Sequence, residues 1–104
     1  MMVVDAHAHV GAGARRTLTP DALLRAMDDN GVAKAVVCAL EQYLTVFNSE
    51  GNDYVAELVA QYPDRFIGFA AVNPWYLEKG VQELERSREL GLRGLKLNSA
   101  LQGF

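Results

Sequence analysis

Both histidines of the chain stand in one short stretch, VVDAHAHVGAG, Val3 to Gly13. His7 and His9 are one residue apart, and Asp5 precedes them at the same interval. In a strand, side chains alternate between faces, so Asp5, His7 and His9 share one face while Ala6, Ala8 and Val10 share the other. Residues two apart on one face lie about 6.5 Å apart at the backbone. From there two imidazole nitrogens can converge on one ion at about 2.0–2.1 Å. Asp5, one layer deeper, would accept a hydrogen bond within the site or stand behind the ligands as a buried carboxylate. The competing account is a half-solvated polar pair at a strand end with no ligand.

Other candidates are spread along the chain. Lys96 and Asn98 share a face of an apolar run, opposite Leu95 and Leu97. Lys96 is there a candidate for a substrate carboxylate, against the alternative of a structural polar layer. Asn73, Tyr43 and Phe47 fall in segments that follow apolar runs, where loops line a substrate pocket or simply pack down. Cys38 sits inside an apolar run with no histidine near it in sequence, which reads as an inert buried thiol. The pair Arg15-Arg16 either attracts an anionic substrate or is a solvated loop pair. Gly11-Ala12-Gly13 has the spacing of neither the dinucleotide fingerprint nor the phosphate loop, and no nucleotide is expected.

The elements that must position these residues alternate. Met2 to Ala8 is apolar and β-branched and ends at glycines, which predicts a strand. Thr19-Pro20-Asp21 has the marks of a helix start: a capping hydroxyl, a proline suited to the first turn, and an acid at the positive end of the dipole. Leu23, Leu24 and Met27 form its apolar stripe, and Asn30-Gly31 stops it. Ala33 to Leu40 reads as a second strand, Glu41 to Asn52 as a mixed loop, and Val55, Leu58, Val59 and Tyr62 as the stripe of a second helix. Phe66 to Val72 is the third predicted strand. A third helix carries Leu77, Val81 and Leu84, with Glu83/Arg86 and Glu85/Arg88 spaced to pair on its wet face. Leu92 to Leu97 is the fourth strand. Strands separated by helices cannot pair as hairpins, so this βαβαβαβ order predicts a parallel sheet in an α/β fold. His7 and His9 then lie at the carboxyl end of the first strand, where ligand sites gather in such folds.

Composition sets the outer limits. The chain has 104 residues, half of them hydrophobic and 22% charged, with a formal net charge of -3. Its basic residues are dispersed, so nucleic acid is not an expected partner. One cysteine excludes an intrachain disulfide. No segment approaches the roughly 18 uninterrupted apolar residues of a membrane helix, and a cytoplasmic location is expected.

VVDAHAHVG also resembles the first-strand signature of the amidohydrolase superfamily, in its amidohydrolase-2 branch. TPDALLRAMDDNGVAKAVV, PDRFIGFAAVNP and GLRGLKLNSALQGF are similar to later segments of that branch, so the resemblance covers essentially the whole chain. It implies the first half of a (βα)8 TIM-type barrel and a divalent metal, usually zinc, held in the barrel mouth. His7 and His9 match the paired first-strand ligands. The implied reaction is attack of a metal-activated water on an amide, ester or lactone carbon of a small-molecule substrate; some relatives instead decarboxylate aromatic or related acids. If its strand face lines the barrel, the resemblance offers Lys96 a second role, that of a carboxylated bridging ligand as in some binuclear relatives, whereas Asn98 stands where histidine is often found. The family's later-strand ligands and its catalytic aspartate have no counterpart in these residues. Residues 1–104 are therefore expected to be a single partial domain from a longer enzyme, inactive alone. A half-barrel exposes a concave face and two sheet edges, so it is also expected to associate with itself. A non-catalytic, self-associating metal-binding half-barrel is the remaining alternative.

Overall fold

A computed structural model describes residues 1–104. Its main sheet contains β1 (Val4–His9), β4 (Lys34–Cys38), β5 (Phe66–Ala71) and β6 (Gly94–Lys96) in that spatial order. Every pairing is parallel, as a strand–helix alternation requires. Two short strands, β2 (Gly11–Ala12) and β3 (Thr17–Leu18), form an antiparallel hairpin between β1 and the first helix. The sequence reading placed only a glycine-rich turn there.

Helix α1 (Pro20–Asp29) begins as its sequence dictates: Thr19 is extended, and its hydroxyl accepts the Ala22 N–H at 3.2 Å. Leu23 and Met27 enter a single core with Val10, Ala35, Val37, Val55, Leu58, Phe66, Ala70 and Leu92. That core lies between the sheet and α1, α3 (Asn48–Gln61) and α4 (Glu78–Glu89). Gly68 lets α3 approach β5, because a Cβ there would stand 2.5 Å from Leu92 and 2.9 Å from Val59.

The stretch read as loop, Glu41 to Asn52, is mostly helical. It holds α2 (Gln42–Thr45) and the first turns of α3. Asn48, Gly51 and Asn52 mark a loop by type, yet all three are buried. Gly51 packs where a Cβ would meet that of Tyr43 at 2.6 Å. Asn52 replaces water with three internal bonds: its Nδ2 donates to Ala71 O and Glu83 Oε1, and its Oδ1 accepts the Ala71 N–H. Tertiary bonding overrides local propensity here.

A 3-10 turn (Pro74–Tyr76) precedes α4, and a short α5 (Ser99–Gln102) follows β6. Gln102 is buried, with its amide donating to Leu44 O and Val72 O. The outer edges of β1 and β6 have no strand partner. No helix is long and apolar enough to cross a membrane.

Candidate metal centre

The last residues of the four parallel strands are His9, Cys38, Ala71 and Lys96. Parallel register sets His9 beside Cys38 and Ala71 beside Lys96. The Nε2 atoms of His7 and His9 lie 2.9 Å apart, with the rings edge to face. His9 Nδ1 lies 2.8 Å from Ala39 O. A carbonyl only accepts, so that nitrogen carries the proton and Nε2 of the neutral ring carries a lone pair. Lys96, 89 residues away in sequence, brings Nζ to 3.2 Å from His7 Nε2.

These contacts fix the electrostatics. His7 is classed as exposed by area, but packing around its ring, then Lys96 and His9, lowers its pKa below the ordinary 6.5, against an opposing pull from Asp5. It is therefore mainly neutral at neutral pH. Two imidazole nitrogens brought this close form a donor set suited to a divalent cation. Their separation of 2.9 Å is shorter than twice a metal–nitrogen bond of about 2.0–2.1 Å, so the spacing itself admits one shared ion. An ammonium on Lys96 acts against a cation at this point.

Asp5 does not stand behind the ligands as a buried carboxylate. It is exposed, and its Oδ1 accepts the backbone N–H of His7 at 3.0 Å. The β1–β4 register shifts between Asp5 and Ala8, a bulge that interrupts the simple alternation expected of DAHAH. Asp5 thus shapes the backbone that carries His7 and makes no hydrogen bond to either ring.

Cys38 is closer to the centre than its sequence context suggested. Its Sγ lies 3.4 Å from His9 Nδ1, and the thiol and both imidazoles offer ligand atoms within 4.8 Å of one another. Burial pushes its pKa up to about 11, with Lys96 opposing, so it is a protonated thiol at neutral pH. Only the strand register makes this pair visible.

The remaining candidates divide. Asn98 borders a cavity with His9 and caps α5, its Oδ1 accepting the Leu101 N–H at 3.1 Å. Asn73 is occupied elsewhere: its Nδ2 donates to Thr45 O, its Oδ1 accepts the Trp75 N–H, and its N–H donates to Asn48 Oδ1. Tyr43 belongs to α2 rather than a loop, packs against the core, and lines a separate cavity with Val10 and Tyr54. Phe47 is half exposed beside a cleft containing Glu83 and Arg86, away from the histidines.

Glu41 holds the first loop in place. Its carboxylate accepts the Arg15 N–H at 2.7 Å and lies 3.4 Å from Arg15 Nε, while Gln42 Oε1 accepts the Ala14 N–H. Glu41 adopts φ 38°, a left-handed conformation that costs a non-glycine residue energy and recurs at functional sites. No periodicity in the sequence signalled it.

Comparison with known proteins bears on the family and the fold. The amidohydrolase family model (Amidohydro_2) matches residues 4–104. The 2-amino-3-carboxymuconate-6-semialdehyde decarboxylase of Dictyostelium discoideum is 38% identical over 65 residues, which are 62% of this chain and 16% of that protein. A putative amidohydrolase from Staphylococcus aureus superposes with a TM-score of 0.79 at 23% identity, over 91% of this chain and 36% of that one. A dihydroxybenzoic acid decarboxylase from Polaromonas sp. JS666, with bound manganese and the inhibitor 2-nitroresorcinol, gives 0.73 at 26% identity, over 93% and 38%. This chain therefore spans only a minor part of each relative's length. Its sheet is the parallel four-stranded half-barrel shared with these folds. With the family model covering nearly every residue, from the strand that bears His7 and His9 to the end of α5, the chain belongs to the amidohydrolase family.

Proposed function

We propose that His7 and His9 are protein ligands of a divalent metal ion, and that residues 1–104 form the amino-terminal half-barrel of a metal-dependent enzyme acting on a small-molecule carboxylic acid. The observation that carries this reading is the convergence of the two Nε2 atoms at 2.9 Å, with the His9 tautomer fixed by Ala39 O. Holding the distal nitrogen of a ligand imidazole in this way orients the ring and raises its basicity. A divalent ion held there would polarise a substrate oxygen and stabilise developing negative charge. Lys96 supplies a cation beside the pair, placed to attract a substrate carboxylate.

Among reaction classes we favour decarboxylation, because the Dictyostelium and Polaromonas relatives are decarboxylases. Hydrolysis of an amide, ester or lactone is the second reading; family membership supports it, and it uses the same ligand pair. Imidazole ligands suit zinc, whereas the Polaromonas relative holds manganese, which favours manganese here. We further propose that the chain associates with itself through its open face. The edges of β1 and β6 are unpaired, and Met2, Val3 and Val4 are exposed.

The test is metal content by mass spectrometry after growth with both manganese and zinc, for the wild-type chain and a His7→Ala/His9→Ala variant. The expected result is near-stoichiometric metal in the wild type and almost none in the variant. Equal metal in both would overturn the ligand assignment. Light scattering across a dilution series tests self-association, which a concentration-independent monomer would exclude.

A further inference from the structure

A cavity of about 250 Å³ opens beside His9 at the strand ends. Leu40, Leu44 and Leu101 give it an apolar wall. Its polar residues have an uneven balance of free groups. The Glu41 carboxylate is engaged with the N–H and guanidinium of Arg15. Asn98 Oδ1 is engaged with the Leu101 N–H. The guanidinium of Arg16 and the Nδ2 amide of Asn98 make no contact of this kind within the chain. The backbone around Arg16 is held firmly. Its carbonyl accepts the Gly13 N–H at 2.7 Å, and the adjoining Thr17–Leu18 strand pairs with Gly11–Ala12.

An apolar wall with a free cation and a free amide donor selects a small anion with an apolar body. A guanidinium can meet a carboxylate with two parallel N–H bonds, which an ammonium cannot. We infer that Arg16, assisted by Asn98 Nδ2, recognises the carboxylate of the substrate in the cavity beside His9. The inference deepens the proposed function and takes from it that this cavity is the mouth of the metal centre. Arg15, adjacent in sequence, is the weaker choice because its Nε already lies 3.4 Å from the Glu41 carboxylate.

The test uses the full chain and two probes that differ by one group, 2,6-dihydroxybenzoate and resorcinol, titrated by NMR with and without added manganese. The wild type should bind the acid about tenfold more tightly than the phenol even without metal, as a charged hydrogen-bonded contact implies. Arg16→Ala should remove most of that preference, Arg16→Lys should keep part of it, and Arg15→Ala should change it less than about threefold. Arg16 is exposed, and its backbone supplies the loop bonds, so the fold should survive; the Arg16→Lys spectrum checks this. An unchanged preference in Arg16→Ala, or no preference in the wild type, would overturn the inference. Metal content separates the two ideas. If no metal binds but the acid preference depends on Arg16, the metal reading fails and this one stands; if metal binds without that dependence, the reverse holds.

Discussion

Two polar clusters face opposite fates in this molecule. Between α3 and α4, Glu83 accepts from Arg86, Asn52 and Ser49, and Arg86 also pairs with Asp53 at 2.7 Å. Every group there has a partner, and no buried side-chain nitrogen or oxygen in the chain lacks one. At the strand ends, His7 and His9 bring their Nε2 atoms together, Lys96 crowds them, and Arg16 has no partner. The first cluster spends its polarity on holding helices together. The second keeps its polarity for something outside the chain. A satisfied network reads as structure, and an incompletely satisfied convergent one reads as a site.

The largest expected effect breaks the first cluster alone. Asn52→Ala leaves the Ala71 N–H and C=O without their side-chain partner and removes a bond to Glu83. It should cost about 3 kcal/mol of stability in a denaturant titration, with metal content per folded chain unchanged. A parallel loss of metal would mean that the two clusters are not independent.

Next in size is the converse. His7→Ala should weaken metal binding by at least about a hundredfold, the upper end of what losing only a partner behind a ligand costs, while stability changes by no more than about 0.5 kcal/mol because the side chain is exposed. Protons compete for the same lone pair. Since the His7 pKa is lowered from 6.5, wild-type metal should be retained as pH falls through 6.5 and released only at more acidic values. Release centred above 6.5 would contradict the neutral, packed imidazole described above.

The contrast also explains what was legible in the sequence. Strand positions, the Thr19 cap and the His-x-His pair are written in short-range patterns, so they could be read directly. The start of α3 could not: Asn48, Gly51 and Asn52 are poor helix residues whose reward comes from Ala71, Asn73 and Tyr43 across the fold. The same holds at the site. Lys96 is legible as a polar residue in the apolar fourth run, although β6 ends at it and Asn98 caps α5 instead; its contact with His7, 89 residues away, is not legible. Asn73 is ambiguous for the same reason: an asparagine after a strand looks the same whether it faces a substrate or ties down a turn, and here its side chain bonds Thr45 O and the Trp75 N–H. Cys38 beside His9 depends on register, which one strand's sequence does not contain.

A third prediction concerns acid. Burial pushes the Glu83 carboxyl up, but hydrogen bonds from Arg86, Asn52 and Ser49 outweigh it and hold its pKa at about 2. A carboxylate depressed in the folded state stabilises fully above its ordinary value of 4.5, and that contribution is lost as pH falls toward 2. Thermal melts between pH 6 and pH 2.5 should therefore show a steep acid limb in the wild type. The limb should be shallower in Glu83→Gln, which starts less stable and has no proton to gain. Equal slopes in both proteins would remove Glu83 from the account.

The smallest effect sharpens the site itself. Lys96 Nζ lies 3.2 Å from His7 Nε2, so an ammonium there repels any cation the two histidines hold. Lys96→Met removes the charge and keeps most of the apolar stem. If the lysine is an ammonium, metal affinity should rise by about three- to tenfold, the size expected of a partly solvated charge at short range. Affinity for 2,6-dihydroxybenzoate in the metal-loaded chain should fall modestly at the same time, because a second cation near the bound acid, beyond the Arg16 contact, is gone. A fall in metal affinity would carry the opposite meaning: the lysine would then be contributing a ligand, which an ammonium cannot do and a carboxylated amine can. One substitution, read in two titrations, thus decides whether Lys96 belongs to the substrate or to the metal.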